Sequence, residues 1–370
     1  MKITNVEGLY LRLPEVKART DSSQDALIVK IETDAGITGW GEVDASPWVA
    51  KAVIDAPPSH TLATGLRHLL VGEDPLDIDR LWGRMYEGTL YFGREGAAIQ
   101  AMAGVDLALW DIKGKALDKP VYQLLEGGYR SSLRVYASNM FQATPKATAE
   151  RARAARDAGY TAVKFGWEPF GEDPGKDCAY LEAIRAEIGE DVELMLDVGH
   201  AWDARTTLER ARLFEPYDLF WIEEPLHPDD LDGYAVVSAE CEIPIAAGEE
   251  ECTVAGFNRL VEHGGVDVIQ VDPSRVGLTQ AMTIALLAQT RGIPVVNHNF
   301  TTDINVAASL HLLASIPNAF VLEYCVEPSD LCRSLARNPI AIVDGHASVP
   351  EEPGLGVEPD PEVIEKYLVR

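Results

Sequence analysis

The sequence predicts an α/β barrel of the modified TIM type, (β/α)7β-like, with an N-terminal α+β capping domain completed by the C-terminal segment. Three observations predict it. After Gly127-Gly128 the chain repeats a short apolar run, a turn and an amphipathic stretch, with eight apolar runs in all. Before that point, apolar and polar residues alternate as in antiparallel strands, with helical periods following. Residues 336–370, which include VDGHASVPEEPGLGVEP, carry no sustained period and read as an irregular return to the first domain.

Residues 1–128 form the expected cap. The run Ile3 to Leu13 leads through a polar loop, Ala18 to Gln24, into a second run, Ala26 to Thr33, and DAGITGWGE supplies a turn and a third strand. Helices follow around Leu76–Met85 and Ala97–Leu117, the latter with Met102, Val105, Leu109 and Ile112 on one face. Residues 129–330 form the barrel. Its strands are expected at Leu133–Ala137, Ala162–Phe165, Val192–Asp197, Leu219–Glu223, Ile243–Glu249, Val266–Asp272, Ile293–His298 and Phe320–Glu323. Ala147–Ala158, Cys178–Ile188, Thr279–Thr290 and Asn305–Ser315 read as crossover helices, and eight such units suggest a closed parallel ring. The last helix is short or absent, and residues 331–370 return to the cap.

Composition narrows the function. A chain of 370 residues with 46% hydrophobic and 25% charged residues is a globular protein with a large core. Its net charge of −27 repels phosphate backbones and anionic lipid, so neither nucleic acid nor a membrane is an expected partner. The same charge requires any acid-binding site to carry local positive charge; it is also compatible with a high-salt habitat. The first twenty residues read as a strand and not as a signal peptide, and no stretch reaches the about 18 apolar residues of a spanning helix. Cys178, Cys241, Cys252, Cys325 and Cys332 are scattered without a CxxC pair and read as reduced thiols, so a cytoplasmic location is expected. Nucleophile-elbow, P-loop, HExxH and dinucleotide-binding signatures are absent.

In a β/α barrel, chemistry sits at the C-terminal ends of the strands. The polar residues there are Lys164, Asp197, Glu223, Glu249, Asp272, His298 and Glu323, at intervals of 33, 26, 26, 23, 26 and 25, each about one strand–loop–helix–loop unit. Singly, Asp197, Glu223 and Glu249 read more readily as helix caps or solvated loop charges than as metal ligands. On three adjacent strands they cannot remain unneutralised, and an all-oxygen set favours Mg²⁺. Strand alternation lets only one of Glu223/Glu224 and one of Glu249/Glu250 face the metal. Asp272 and His298 end neighbouring strands, so a carboxylate there would orient the imidazole as a general base or acid. Lys164 is a candidate to hold an anionic oxygen, and Glu323 is either a proton donor with a raised pKa or a hydrogen-bond partner. His200, three residues after Asp197, belongs to the mouth of the site.

This constellation resembles the enolase superfamily, and within it the mandelate racemase-like group, over essentially the whole chain. The resemblance implies Mg²⁺-assisted removal of the proton α to a carboxylate, with the enediolate held by the metal on one side and by Lys164 and Glu323 on the other. It also implies that Ala18–Gln24 and Asp44–Val49 close over the site and select the substrate. Members that racemise or cycloisomerise typically carry Lys-x-Lys on the second strand, the second lysine serving as base on the opposite face, whereas this chain has Lys164-Phe165-Gly166 followed by Trp167. With His298 the only evident base, the resemblance points to the acid-sugar dehydratases. Trp167 then shapes the pocket wall, and Lys17 and Arg19 either meet a distal acid or remain solvated loop charges. The substrate is expected to be an aldonate or aldarate and the protein a homo-oligomer. A racemase or epimerase using another base, and a non-catalytic metal-stabilised barrel, are the other readings.

Overall fold

The computed structural model describes residues 1–17 and 21–370. In the cap, β1 (Ile3–Arg12), β2 (Asp25–Thr33) and β3 (Thr38–Val43) form an antiparallel meander. The helix Ala97–Leu117 packs on it and is buried nearly all round, because it is wedged between cap and barrel. Two acids tie these layers together. Asp106, on the helix, accepts from the Thr279 amide at 3.0 Å and hydroxyl at 2.6 Å. Glu42, on β3, accepts from the Thr302 amide (3.2 Å), the Thr302 hydroxyl (2.8 Å) and the Asn305 amide (3.1 Å) at the start of the helix Asp303–Ala314. The helices Pro47–Asp55, Leu66–Leu70, Ile78–Gly88 and the short Val121–Leu124 also belong to the cap.

The barrel strands are β4 (Ser132–Met140), β5 (Ala162–Gly166), β6 (Glu193–Asp197), β7 (Leu219–Glu223), β8 (Ile245–Ala247), β9 (Val268–Val271), β10 (Val295–Asn297) and β11 (Leu322–Cys325). All pair in parallel from β10 round to β4 and on to β11. The crossover helices begin at Thr144, Asp173, Asp203, Thr253 and Thr302, whose side chains each accept from a backbone amide of the first turn.

The strand ladder does not run all the way round, in contrast to the continuous ring that the sequence suggests. Between β10 and β11 there is a single bridge, Val295 to Ala319. The Asn297 side-chain amide replaces the missing peptide pair, accepting from the Glu323 amide at 2.8 Å and donating to its carbonyl at 3.3 Å.

A layer of Tyr136, Ala162, Met195, Trp221, Ala246, Val268, Val296 and Val321 fills the barrel interior. Two residues further along, the same faces present Lys164, Asp197, Glu223, His298 and Glu323, so strand alternation carries the apolar floor directly into a polar layer. β8 takes one extra step. Gly248 has φ +136°, and a Cβ there would lie 2.6 Å from the Gln270 carbonyl, so only glycine permits the turn that brings Glu249 inward.

The end of the chain is more ordered than its sequence suggests. After the short helix Asp330–Ser334, β12 (Ile342–Val343) and β13 (His346–Ser348) form a hairpin. β13 pairs antiparallel with the first residues of β4, at the barrel end away from the polar layer. This pairing is long-range, which is why the local pattern concealed it. The helix Pro361–Tyr367 follows, and Leu368 and Val369 bridge back to β1. Among the described residues no helix is long and apolar enough to cross a membrane, and all five cysteines are free.

Candidate active site

A cavity of about 310 Å³ opens at the C-terminal ends of the strands, lined in part by Lys164, Gly166, Trp167, Asp197, Glu249, Arg275 and His298. The carboxylates of Asp197, Glu223 and Glu249 converge there, with one oxygen of each within 4.8 Å of the others, and all three are buried. Burial, reinforced by the neighbouring acids, pushes the Asp197 carboxyl well above its ordinary range and raises Glu249 too. Burial likewise lifts Glu223 to about 7, against the opposing pull of Lys164. Asp197 accepts from the Gly199 amide at 2.9 Å and Glu223 from the Trp221 indole at 3.0 Å, while one buried Glu249 oxygen has no hydrogen-bond partner. An orphaned carboxylate oxygen beside two others fits a hard divalent cation.

Lys164 lies between Glu223 and Glu323, pairing with the latter at 2.7 Å. Burial opposes its charge, but the two glutamates hold its pKa well above the ordinary value, so it stays a cation. Burial opposes ionisation of Glu323 too, yet Lys164 and His298 bring its pKa below the usual value, and the Asn299 amide donates to it at 2.8 Å. Of the two roles the sequence leaves open for Glu323, these surroundings favour the carboxylate that accepts hydrogen bonds.

The ring of His298 is fixed by Asp272, whose Oδ2 lies 2.7 Å from Nδ1. The other oxygen of Asp272 accepts from the Ser274 amide (2.7 Å), the Ser274 hydroxyl (2.6 Å) and the Asn305 side chain (3.0 Å). Burial alone would push His298 toward neutrality, but Glu249 and the Asp272 bond hold its pKa well above 6.5. Nε2 is left toward the cavity, 3.7 Å from Glu249.

The sequence left the register of two acid pairs open. Glu223 joins the three-carboxylate cluster, whereas Glu224, at φ 40°, turns to accept from Gly248 at 3.0 Å and to pair with His200 at 2.5 Å. Glu249 joins the cluster too, and Glu250 sits on the cavity wall, 37% exposed. His200 packs edge-on to Trp167 at 5.8 Å but is not among the lining residues. Trp167 lines the cavity beside Gly166, where a Cβ would come within 2.7 Å of the Asp197 carboxylate. Arg19, with Ala18 and Thr20 of the closing loop, lies outside the described residues. Asp21 lines the cavity.

Arg275 escaped the sequence reading, and Asp44 entered it only as the edge of the closing stretch Asp44–Val49. Asp44, past the end of β3, accepts from Arg275 Nε at 3.0 Å and lies 3.9 Å from His298 Nδ1. Arg275 also donates to the Glu249 carbonyl at 2.7 Å. The one local signal was Arg275's place three residues after Asp272 in DPSR, one helical turn along.

Comparison with known proteins agrees with this geometry. Residues 3–126 match the mandelate racemase/muconate lactonizing enzyme N-terminal domain, and residues 147–363 match the enolase C-terminal domain-like family. The chain is 32% identical to a D-xylonate dehydratase of Haloferax volcanii, covering 94% of this chain and 87% of that one. It is 32% identical to an arabinonate dehydratase of Saccharolobus solfataricus, covering 95% and 93%. The crystal structure of a 3,6-anhydro-D-galactonate cycloisomerase from Zobellia galactanivorans superposes with a TM-score of 0.91 at 33% identity, covering 100% of both chains.

Proposed function

We propose that this chain, which belongs to the enolase superfamily and within it to the mandelate racemase-like group, is a sugar-acid dehydratase, a hydro-lyase that converts an acid sugar into a 2-keto-3-deoxy acid. The single observation that carries the direction of chemistry is the one-sided base. His298, held by Asp272, and Gly166 both line the cavity, and Gly166 offers no side chain able to take a proton. Both curated relatives described above are named as dehydratases of sugar acids.

Asp197, Glu223 and Glu249 would hold Mg²⁺, and the bound ion supplies electrostatic stabilisation to negative charge that builds on the substrate carboxylate. Lys164 places a permanent cation beside the same carboxylate, and Glu323 orients Lys164. His298 takes the α-proton at Nε2. Asp272 keeps the other ring proton on Nδ1, so that Nε2 is the free base. Neutralising Glu249 removes the strongest of the pulls that keep His298 protonated. The C–H electron pair forms the C2–C3 double bond as the C3–O bond breaks. His298 returns its proton to the departing hydroxyl, water leaves, and the enol tautomerises to the ketone. Trp167, and His200 behind it, shape the wall that faces the sugar. Residues 1–128 with 331–370 act as the cap on the barrel at 129–330. The reading includes a cytoplasmic homo-oligomer.

Racemase and cycloisomerase chemistry would need a base on the opposite face, and His200 is bound to Glu224. A non-catalytic barrel would melt in a metal-dependent way without turning anything over. The test is a panel of aldonates and aldarates with Mg²⁺ or with a chelator. Metal-dependent 2-keto acid from a narrow set of stereoisomers supports the reading, and a new diastereomer without keto acid overturns it.

A further inference from the structure

Of the three acids proposed to hold the ion, Glu249 is the one that no strand carries. Asp197 and Glu223 are the last residues of β6 and β7, and their carboxylates accept from the Gly199 amide and the Trp221 indole. Glu249 stands two residues past β8, in the turn that Gly248 opens at φ +136°, and one of its carboxylate oxygens is buried without a partner. Its main-chain carbonyl takes one hydrogen bond among the described residues, from Arg275 Nη1 at 2.7 Å.

Arg275 is itself placed from two sides. Asp272 caps the short helix Pro273–Val276, accepting from the Ser274 amide at 2.7 Å, and the Arg275 amide donates to the Asp272 carbonyl at 3.0 Å. One turn therefore carries both the carboxylate that orients His298 and the guanidinium that holds Glu249. From the other side Asp44, one residue past β3 of the cap, accepts from Arg275 Nε at 3.0 Å. The pair is withdrawn from solvent, with the Arg275 side chain 15% and that of Asp44 7% exposed. A planar guanidinium bonded through two nitrogens has little freedom to turn.

We infer that Arg275 is a positioning residue that fixes the turn after β8 so that Glu249 meets the ion, and that Asp44 extends this hold to the cap, so the seating of the cap on the barrel sets metal affinity. The inference rests on the three-carboxylate metal site of the dehydratase reading and deepens it. Charge and geometry predict opposite signs here. Arg275 is a permanent cation, and removing a cation beside a divalent ion would by itself tighten binding. Removing the donor that supports a ligand weakens binding, typically by about 10–100-fold.

The experiment measures the Mg²⁺ Kd by calorimetry on the full chain, with each variant first shown folded by circular dichroism and a cooperative melt in chelator. Arg275→Met is expected to raise Kd about tenfold. An unchanged or lower Kd overturns the inference, and weaker sugar-acid binding at an unchanged Mg²⁺ Kd makes Arg275 a substrate contact instead. Asp44→Ala and Asp44→Asn remove the same charge, but Asn keeps an oxygen for Arg275 Nε, so Mg²⁺ is expected to bind the Asn variant at least about threefold more tightly. Equal Kd values in these two overturn the role of Asp44, and this pair decides the matter if Arg275→Met does not fold. In the double variant Arg275→Met/Asp44→Ala the Kd should match that of Arg275→Met, and fully additive losses contradict the coupling. A wild type that binds no Mg²⁺ overturns the metal site and this inference with it. A wild type that binds Mg²⁺ no better than Arg275→Met overturns the inference alone and leaves the dehydratase reading intact.

Discussion

Replacing Asp272 with Asn removes one charge and, by the geometry of its partners, inverts a tautomer. Oδ1 accepts three hydrogen bonds, at 2.6, 2.7 and 3.0 Å, while Oδ2 has His298 Nδ1 at 2.7 Å. An Asn keeps its oxygen on the three donors, because the reverse orientation would set an amide N–H against all of them at a cost of about 1–3 kcal/mol per unmade bond. The amide nitrogen then faces Nδ1, which must accept. The ring proton moves to Nε2, the atom proposed to take the substrate proton. Loss of the Asp272 charge also lowers the His298 pKa and weakens it as a base. The same substitution in a serine-protease triad costs about 10⁴ in kcat, equal to ~5.4 kcal/mol at 1.36 kcal/mol per tenfold. Asp272→Asn is therefore expected to lower kcat about 10⁴-fold with KM within about threefold. Steady-state keto acid formation gives the rate, and ¹⁵N shifts of His298 in labelled protein give the tautomer independently of any substrate. A kcat within tenfold of wild type, or an Nδ1–H ring in the variant, would refute the reasoning.

Trp221→Phe removes the one hydrogen bond, among the described residues, that the Glu223 carboxylate accepts besides that of Lys164, so Mg²⁺ affinity by calorimetry is expected to fall about tenfold with the fold intact; unchanged affinity would remove the indole from the account. Chelation should lower the melting temperature, because it restores repulsion among Asp197, Glu223 and Glu249, and Glu249→Gln should shrink the Mg²⁺-induced rise. Gly248→Ala is expected to cost about 2–4 kcal/mol in urea unfolding, since the Cβ meets the Gln270 carbonyl at 2.6 Å in a φ +136° turn. His311 is buried as the neutral ring, accepting from the Tyr122 amide at 3.2 Å and facing the Leu355 carbonyl at 3.1 Å, and burial lowers its pKa from 6.5 to about 4. The unfolded chain then binds the extra proton, so this stability is complete above pH 6.5 and is lost as pH falls through 4. The total is ~3 kcal/mol. His311→Leu should flatten the pH slope of unfolding between 6.5 and 4.5 by up to one proton, and identical slopes would contradict the assignment.

The strand beat was legible because each barrel strand is a short apolar run closed by an ionisable residue. Leu219–Glu223 and Ala97–Leu117 match the structure residue for residue. The shifted boundaries have a common cause. Glu249, Asp272 and His298 stand past the ends of β8, β9 and β10, where Gly248 and Pro273 break the ladder and aim the side chains inward. Asp44 and Arg275 were hidden by distance, since their ion pair joins residues 231 apart in the chain. The β12–β13 hairpin was hidden for the same reason, its partner strand beginning at Ser132. Asn297 read as part of an ordinary strand, and only the seam between β10 and β11 gives its amide the role of a backbone pair.

The central claim is a one-base elimination by His298. The most direct measurement follows the protein with Mg²⁺ in D₂O on the sugar acid it turns over best, recording α-deuterium incorporation and 2-keto-3-deoxy acid together in wild type and His298→Asn. The account predicts keto acid from wild type and neither exchange nor keto acid from the variant. Exchange that persists in His298→Asn, or wild-type exchange that yields a new diastereomer and no keto acid, would contradict it.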